Sequence, residues 1–231
     1  METRLLLHEE EGWIALPYVW NDAQTDAVLE IAGESKSIAW KNELGKKQKI
    51  DYQVPNMVMC KGCHSHQKEL VPIGPTARQL NKDFDYLSGT QNQLVYWKEK
   101  EILSNLPDLA GVPSLVRWDD EKEALDARAR AYLDANCGHC HNPQGPANTS
   151  GMFLDIHTSD PGQLGIKKGP IAAGRGTGGF AHGIEPGKPE ESILVFRMES
   201  VDPGIMMPEM GRQLTHTEGL ELIKNWIREM K

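Results

Sequence analysis

The sequence has no run of eighteen apolar residues, so nothing in it reads as a membrane span. Aromatic residues are scarce, at 6% of the 231, while 22 glycines and 14 prolines point to much irregular structure rather than a core built on rings. The opening stretch has only Leu5, Leu6 and Leu7 before acidic residues follow, too little for a signal peptide. The formal charge is −8, which argues against nucleic acid as a partner; it permits a basic protein partner and is also ordinary solubility. The glycine run Gly174-Arg175-Gly176-Thr177-Gly178-Gly179 lacks a Gly-Lys-Ser/Thr ending and a preceding strand, so it is not a nucleotide loop. Loops wrapped around a flat cofactor explain it better.

Cysteine is also scarce, and its placement is the strongest signal present. All four cysteines fall in two segments, Cys60-Lys61-Gly62-Cys63-His64 and Cys137-Gly138-His139-Cys140-His141. Two thiols three residues apart, with a histidine directly after, are what covalent haem attachment requires. Each thiol adds across one porphyrin vinyl group, and the imidazole reaches the iron. Histidine is about one residue in thirty here, so two chance histidines in those places would be roughly a one-in-a-thousand event. A four-cysteine zinc site would leave both histidines unexplained. Two redox dithiols would want a βαβ context around each pair, which the sequence lacks. The expectation is two covalently bound haem c groups, on Cys60 and Cys63 and on Cys137 and Cys140, with His64 and His141 as axial ligands.

Residues 3–55 read as β-rich. Leu5 to Leu7, Trp13 to Leu16, Tyr18 to Trp20, Ala27 to Ile31 and Lys49 to Val54 are short strand-like runs, with Pro17 marking an edge or bulged strand. Residues 56–89 carry the first motif and then irregular chain, in which a carbonyl of Pro72-Ile73-Gly74-Pro75 could orient His64. Gly145-Pro146 could repeat that role for the second motif. Thr90 and Gln93 fit a capping box for a helix over 90–105. A second helix spans 121–136, capped by Asp119 or Asp120, with Leu125, Ala129, Tyr132 and Leu133 on one face; it delivers Cys137. Arg128 and Arg130 lie off that stripe and read as a solvated face or as partners for haem propionates. A closing helix over 216–230 has Thr215 and Glu218 as a capping box and a stripe of Leu220, Ile223, Ile227 and Met230.

A thioether is the expected sixth ligand of the second haem, because soft sulfur favours ferrous iron and raises the potential. Met207 is the first choice: it precedes Pro208, which stiffens the loop, and lies just before the closing helix. Met206 is the runner-up, and Met198 a further alternative. For the first haem no methionine lies between His64 and Met152. Its ligand must come from Met57, Met59 or His8, from Met152, Met198 or Met210, from a histidine such as His182, or be absent. Met59 and His66 adjoin the motif too closely to reach the opposite face.

The run Arg128 to Leu133 into Asn136-Cys137-Gly138-His139-Cys140-His141-Asn142-Pro143, then Pro186-Gly187-Lys188-Pro189 with Ser192, Met207-Pro208 and Trp226-Ile227, resembles the C-terminal half of bacterial exported dihaem c-type cytochromes. These are related to planctomycete-type cytochrome c domains. Val54-Pro55, Pro72 to Pro75 and Gln79-Leu80-Asn81 resemble their first-haem segment, and Thr3 to Leu6 with Tyr18 to Asn21 the β-rich region before it. The resemblance covers nearly the whole chain. It implies a mainly α fold with much irregular loop: a β-rich region at 1–55, a first haem segment at 56–118, and a cytochrome c-like second haem domain at 119–231. It also implies periplasmic or otherwise exported protein, with a signal peptide and an N-terminal piece upstream of this sequence. The expected function is carriage of single electrons between other redox proteins. The alternative is a dihaem peroxidase or small-molecule oxidoreductase with an open site at the first haem.

Overall fold

The computed structural model describes residues 1–42 and 44–231. The first residues form a three-stranded antiparallel meander of β1 (Glu2–Glu9), β2 (Gly12–Trp20) and β3 (Ala27–Leu29), with β2 in the centre. Pro17 therefore sits in the central strand, not at an edge. The register explains how. Trp20 N–H donates to Met1 O at 2.9 Å, which makes the Arg4–Pro17 pair one of the non-hydrogen-bonded pairs of the β1–β2 ladder. The missing N–H of Pro17 faces the other side, at Glu30 just past the end of β3, where Glu30 N–H still donates to Pro17 O at 2.9 Å and only the reciprocal bond is absent. Ala15, Pro17 and Val19 alternate into the interior, as a strand with one covered face should.

A separate hairpin follows, β4 (Glu34–Lys41) and β5 (Lys47–Val54). The β4 strand escapes a reading by apolar runs because Glu34, Ser35, Lys36 and Ser37 are polar; only Ile38 and Trp40 mark its inner face. The hairpin is tied to the meander by Lys36, whose ammonium donates to Trp20 O at 2.8 Å, and by Tyr52. The Tyr52 hydroxyl donates to Glu2 at 2.5 Å, and Arg4 donates to Tyr52 Oη at 3.0 Å.

The middle of the chain is built of small pieces. Helix α1 (Met57–Cys60) packs on β2, and β6 (Ser65–His66) pairs with β7 (Glu69–Leu70). Helix α2 (Ala77–Leu80) leads into a hairpin of β8 (Asp83–Tyr86) and β9 (Gly89–Asn92), and α3 follows directly (Gln93–Glu99). Thr90 is thus a strand residue bonded to Asp85, and the helix cap is Asn92, which accepts from the Leu94 N–H at 3.0 Å. The helix stops at Glu99 because Lys100 and the left-handed Glu101 turn the chain away, well short of 105.

Three helices carry the main core: α4 (Leu125–Leu133), α5 (Ile193–Glu199) and α6 (Thr217–Glu229). Ala129, Tyr132 and Leu133 of α4 meet Leu194 and Val195 of α5 and Leu220, Ile223, Trp226 and Ile227 of α6, with Leu154 and Ile184 filling in from loops. Each fully buried Leu or Ile contributes about 1.5–3 kcal/mol before entropy is subtracted. The Trp226 indole N–H is satisfied by Asp126 at 2.8 Å, which fixes α6 to α4. Helix α4 starts four residues later than expected, since Asp120 caps only a turn at Lys122. Thr215 donates to Glu199 O instead of closing a capping box on α6.

The expected mainly α, cytochrome c-like fold is overturned. The chain is 27% helix and 23% strand, and its strands form several small antiparallel sheets. The mainly α expectation came from the resemblance; the helices expected over 90–105, 121–136 and 216–230 shorten to α3, α4 and α6, and the missed strand is β4 and the β8–β9 hairpin. No helix among the described residues is long and apolar enough to cross a membrane.

Candidate functional site

The two Cys-x-x-Cys-His segments have the same backbone. In the first, Cys63 N–H and His64 N–H both donate to Cys60 O, at 3.2 and 2.9 Å. In the second, Cys140 N–H and His141 N–H both donate to Cys137 O, at 3.1 and 2.9 Å. Each segment is one helical turn. Positions i, i+3 and i+4 share a face of such a turn, so both thiols and the following imidazole point the same way. Asn56 starts the first turn by capping α1, accepting from Met59 N–H at 2.8 Å. The second turn continues α4 through a wider π turn, Asp134–Gly138.

The second turn borders a partly open, largely apolar cavity of about 140 Å³. Cys137, Cys140 and His141 line it, together with Met198, Met207 and Met152. Met152 O accepts the Nδ1–H of His141 at 3.0 Å. This fixes the tautomer and leaves Nε2 as the free nitrogen, the state a metal-binding imidazole needs. The orienting carbonyl is thus eleven residues beyond His141, not at Gly145-Pro146. Gly145 serves a different purpose. A Cβ there would collide with Cys140 O, so only glycine lets the loop close on the motif. Burial holds the His141 imidazole below its ordinary value, partly offset by the Met152 carbonyl, and so favours the neutral form.

Met207 is held by its own backbone, with its N–H donating to Arg197 O at 3.0 Å. Its peptide bond to Pro208 is cis. Met206 is 3% exposed and is not among the residues of the cavity wall. Arg212 braces the end of α5, where Met198 sits: it donates to Met198 O at 2.6 Å and to Arg197 O at 3.2 Å, beside the carbonyl end of the helix dipole. No local pattern in the sequence marks Arg212. Arg128 and Arg130, read from the sequence as a solvated face or as partners for propionates, both turn to backbone: Arg128 to Trp118 O at 2.9 Å, Arg130 to Asp155 O and Thr158 O at 2.9 and 2.7 Å.

Compared with family models, curated proteins and solved structures, the chain matches none. The resemblance to dihaem cytochromes therefore rests on the sequence residues quoted for it alone.

The first turn lies against the second. The Cys140 thiol donates to Cys63 and both line the same cavity. That hydrogen bond pulls Cys63 down to about 7 and pushes Cys140 well up. Gln67 N–H donates to Gln144 O at 3.1 Å, closing the seam between the segments that follow the two motifs. Cys60 is buried near Arg4 of β1, and burial raises its thiol. Among the described residues no group of three or more His, Cys, Asp or Glu side chains converges as a cage for a single metal ion. The His64 imidazole is lowered, first by burial, with the Val71 backbone opposing. Its Nδ1 is buried and has no hydrogen-bond partner meeting ordinary geometry. Among the residues the sequence offered as a ligand opposite His64, Met210 lies with its methyl over Gly62, and His182 is tied to Glu185 at 2.6 Å. His8 stacks on Trp13 in the first hairpin, Met57 and Met59 belong to α1 itself, and Met152 and Met198 line the cavity of the second motif.

Proposed function

We propose that this chain is a carrier of single electrons holding two haem c groups, one on Cys60 and Cys63 with His64 as axial ligand, the other on Cys137 and Cys140 with His141 and Met207. Haem supplies a reversible one-electron couple when bound. The observation that supports the reading best is the shared fold of the two motifs: in each, the backbone turn aligns two thiols and an imidazole on one face.

The second site fits the group in further ways. Its wall is apolar, which a porphyrin face needs. It has Lys168 and Arg197 in the wall as cations for carboxylates. Its histidine has the tautomer set by Met152 O, and its softest side-chain donors are thioethers. Met207 is the chosen sixth ligand, because its backbone is fixed by Arg197 and it lines the same cavity as His141. Partners are other redox proteins, and the site of action is the periplasm or another exported location, where thioether attachment of haem takes place.

The mass of the protein, expressed with a haem-attachment system, tests the reading. Two covalent haems per chain are expected. A colourless protein of unmodified mass overturns it. Export is tested separately, by fractionating cells that produce the protein natively.

A further inference from the structure

The fold brings together two thiols that belong to different motifs. Cys63 and Cys140 line the cavity of the second motif and also a second cavity beside it. The Cys140 thiol donates to Cys63, which puts the two sulfurs within reach of one ion, and the Gln67–Gln144 backbone bond holds together the segments that follow them. Thioethers surround the pair. Met207 lines both cavities, and Met210 lines the second with its methyl against Gly62, next to Cys63. The other thiol of each motif is placed differently. Cys60 lines neither cavity and donates to Asn56 O at 3.6 Å, and Cys137 lines the first but not the second.

Among the described residues no third thiolate, imidazole or carboxylate converges with the pair, so it is no cage for Zn(II), which takes four such ligands in a closed site. Two thiolates with thioethers are instead a soft set, the kind that selects Cu(I). The charge fits as well. Cu(I) with two thiolates carries one negative charge, and Arg197 stands in the wall of both cavities. Its Nε–H donates to Ile205 O at 2.9 Å, and its partner Glu209, at 3.3 Å, is mainly exposed. We propose that, in the chain before any haem is attached, Cys63 and Cys140 form a Cu(I) site that joins the two motifs and is completed by the thioethers of Met207 and Met210. Binding displaces both thiol protons to solvent and moves no electron; copper enters and stays as Cu(I). The site itself does not depend on the dihaem reading. Its consequence does: copper held there takes one thiol from each motif and so bars haem from both at once.

The test uses the full chain, produced without a haem-attachment system and kept reduced. Cu(I) is supplied as its bicinchoninate complex, with chelator competition, native mass and X-ray absorption as readouts. One tightly held Cu(I) per chain, with sulfur as its only ligand type, is expected. Cys60→Ser with Cys137→Ser should keep that ion, whereas Cys63→Ser and Cys140→Ser should each lose it with unchanged circular dichroism. Met207→Leu with Met210→Leu should weaken binding and lower the number of sulfurs around copper. The Cys60/Cys137 double variant removes more thiols than either single one, so retention there and loss in the others cannot come from thiol count alone. Two Cu(I) per chain, or an ion lost with Cys60 and Cys137, would assign copper to the separate Cys-x-x-Cys pairs and overturn the joined site. Failure to hold Cu(I) against the chelator, or its displacement by Zn(II), would overturn the soft-metal assignment. Haem is counted on protein made with the attachment system, so either reading can fail alone.

Discussion

Met206 and Met207 are adjacent, yet they face different surroundings, and substitution should separate them. Met206 is packed to 3% exposure, so Met206→Ala should cost about 2–4 kcal/mol of stability in a thermal or denaturant melt and leave the haem spectrum alone. Met207→Ala should cost less stability but remove the thioether–iron charge-transfer band and lower one of two reduction potentials. A band that survives Met207→Ala places the ligand elsewhere, with Met198 next in the same cavity. The thiols make a second case, in protein produced without haem attachment. Cys63 accepts a hydrogen bond from Cys140, which stabilises its thiolate and pulls it down to about 7, while burial pushes Cys137 up to about 12. Alkylation followed by mass mapping should therefore label Cys63 first, with half its limiting rate reached near pH 7, and well ahead of Cys137. Equal labelling of the two would contradict the contact between the motifs. At this scale the sequence was most legible where geometry is set within a few residues: the spacing of thiols and histidine is local, and each motif forms one turn. The carbonyl of Met152 and the brace of Arg212 were not legible, because each depends on chain brought back from a distance.

Helix α6 shows why intrinsic preference gives the wrong sign for a single substitution. Glycine inside a helix is ordinarily about 0.8–1 kcal/mol worse than alanine, so Gly219→Ala should stabilise. Here a Cβ at 219 would run into the Tyr132 ring of α4. That ring cannot step aside: it is 8% exposed, stacks on His216 and meets Trp118 edge-on, with its hydroxyl 3.1 Å from His216 Nδ1. Gly219→Ala should therefore destabilise by about 1–3 kcal/mol, the usual cost of overpacking, as read from a shift in denaturation midpoint at unchanged slope. A stabilised variant would mean that α4 and α6 are not in this contact. The apolar stripe of α6 was plain from its spacing, since Leu220, Ile223 and Ile227 all go inside. Its start was not, because Thr215 and Glu218 look like a capping box to the eye, while the Thr215 hydroxyl in fact donates to Glu199 O. Strand β4 and the β8–β9 hairpin were missed, being held by backbone ladders and polar contacts such as Thr90–Asp85, whereas β5 was read as a strand over 49–54.

Across the whole molecule the two motifs rest on unlike supports. The first turn grows from a single turn of helix lying on the β1–β3 meander, whereas the second extends a helix of the α4–α5–α6 core. They meet at Cys63 and Cys140 and at the Gln67–Gln144 bond. This asymmetry was hidden in the sequence, where both motifs look the same and only the resemblance suggested one architecture for the second half. It also sets the consequence of removing either attachment. The double variant Cys137→Ala with Cys140→Ala should lose one haem by mass and leave the other in place, and so should Cys60→Ala with Cys63→Ala. Their stabilities should differ. Leu154, Leu194, Met152 and Met198 belong to the main core or pack on it, and all four also line the cavity of the second motif. On the proposed reading, losing the haem that would fill this cavity strips apolar cover from the core itself, and the cost of such a void grows with its volume. Cys60 lies beneath the sheet, outside that core cluster, and its loss leaves the three-helix packing intact. Thermal melts should therefore place the Cys137/Cys140 variant several degrees below the Cys60/Cys63 variant. Melting points in the reverse order would show that the helical core stands without its cofactor and that the sheet is the part that depends on one.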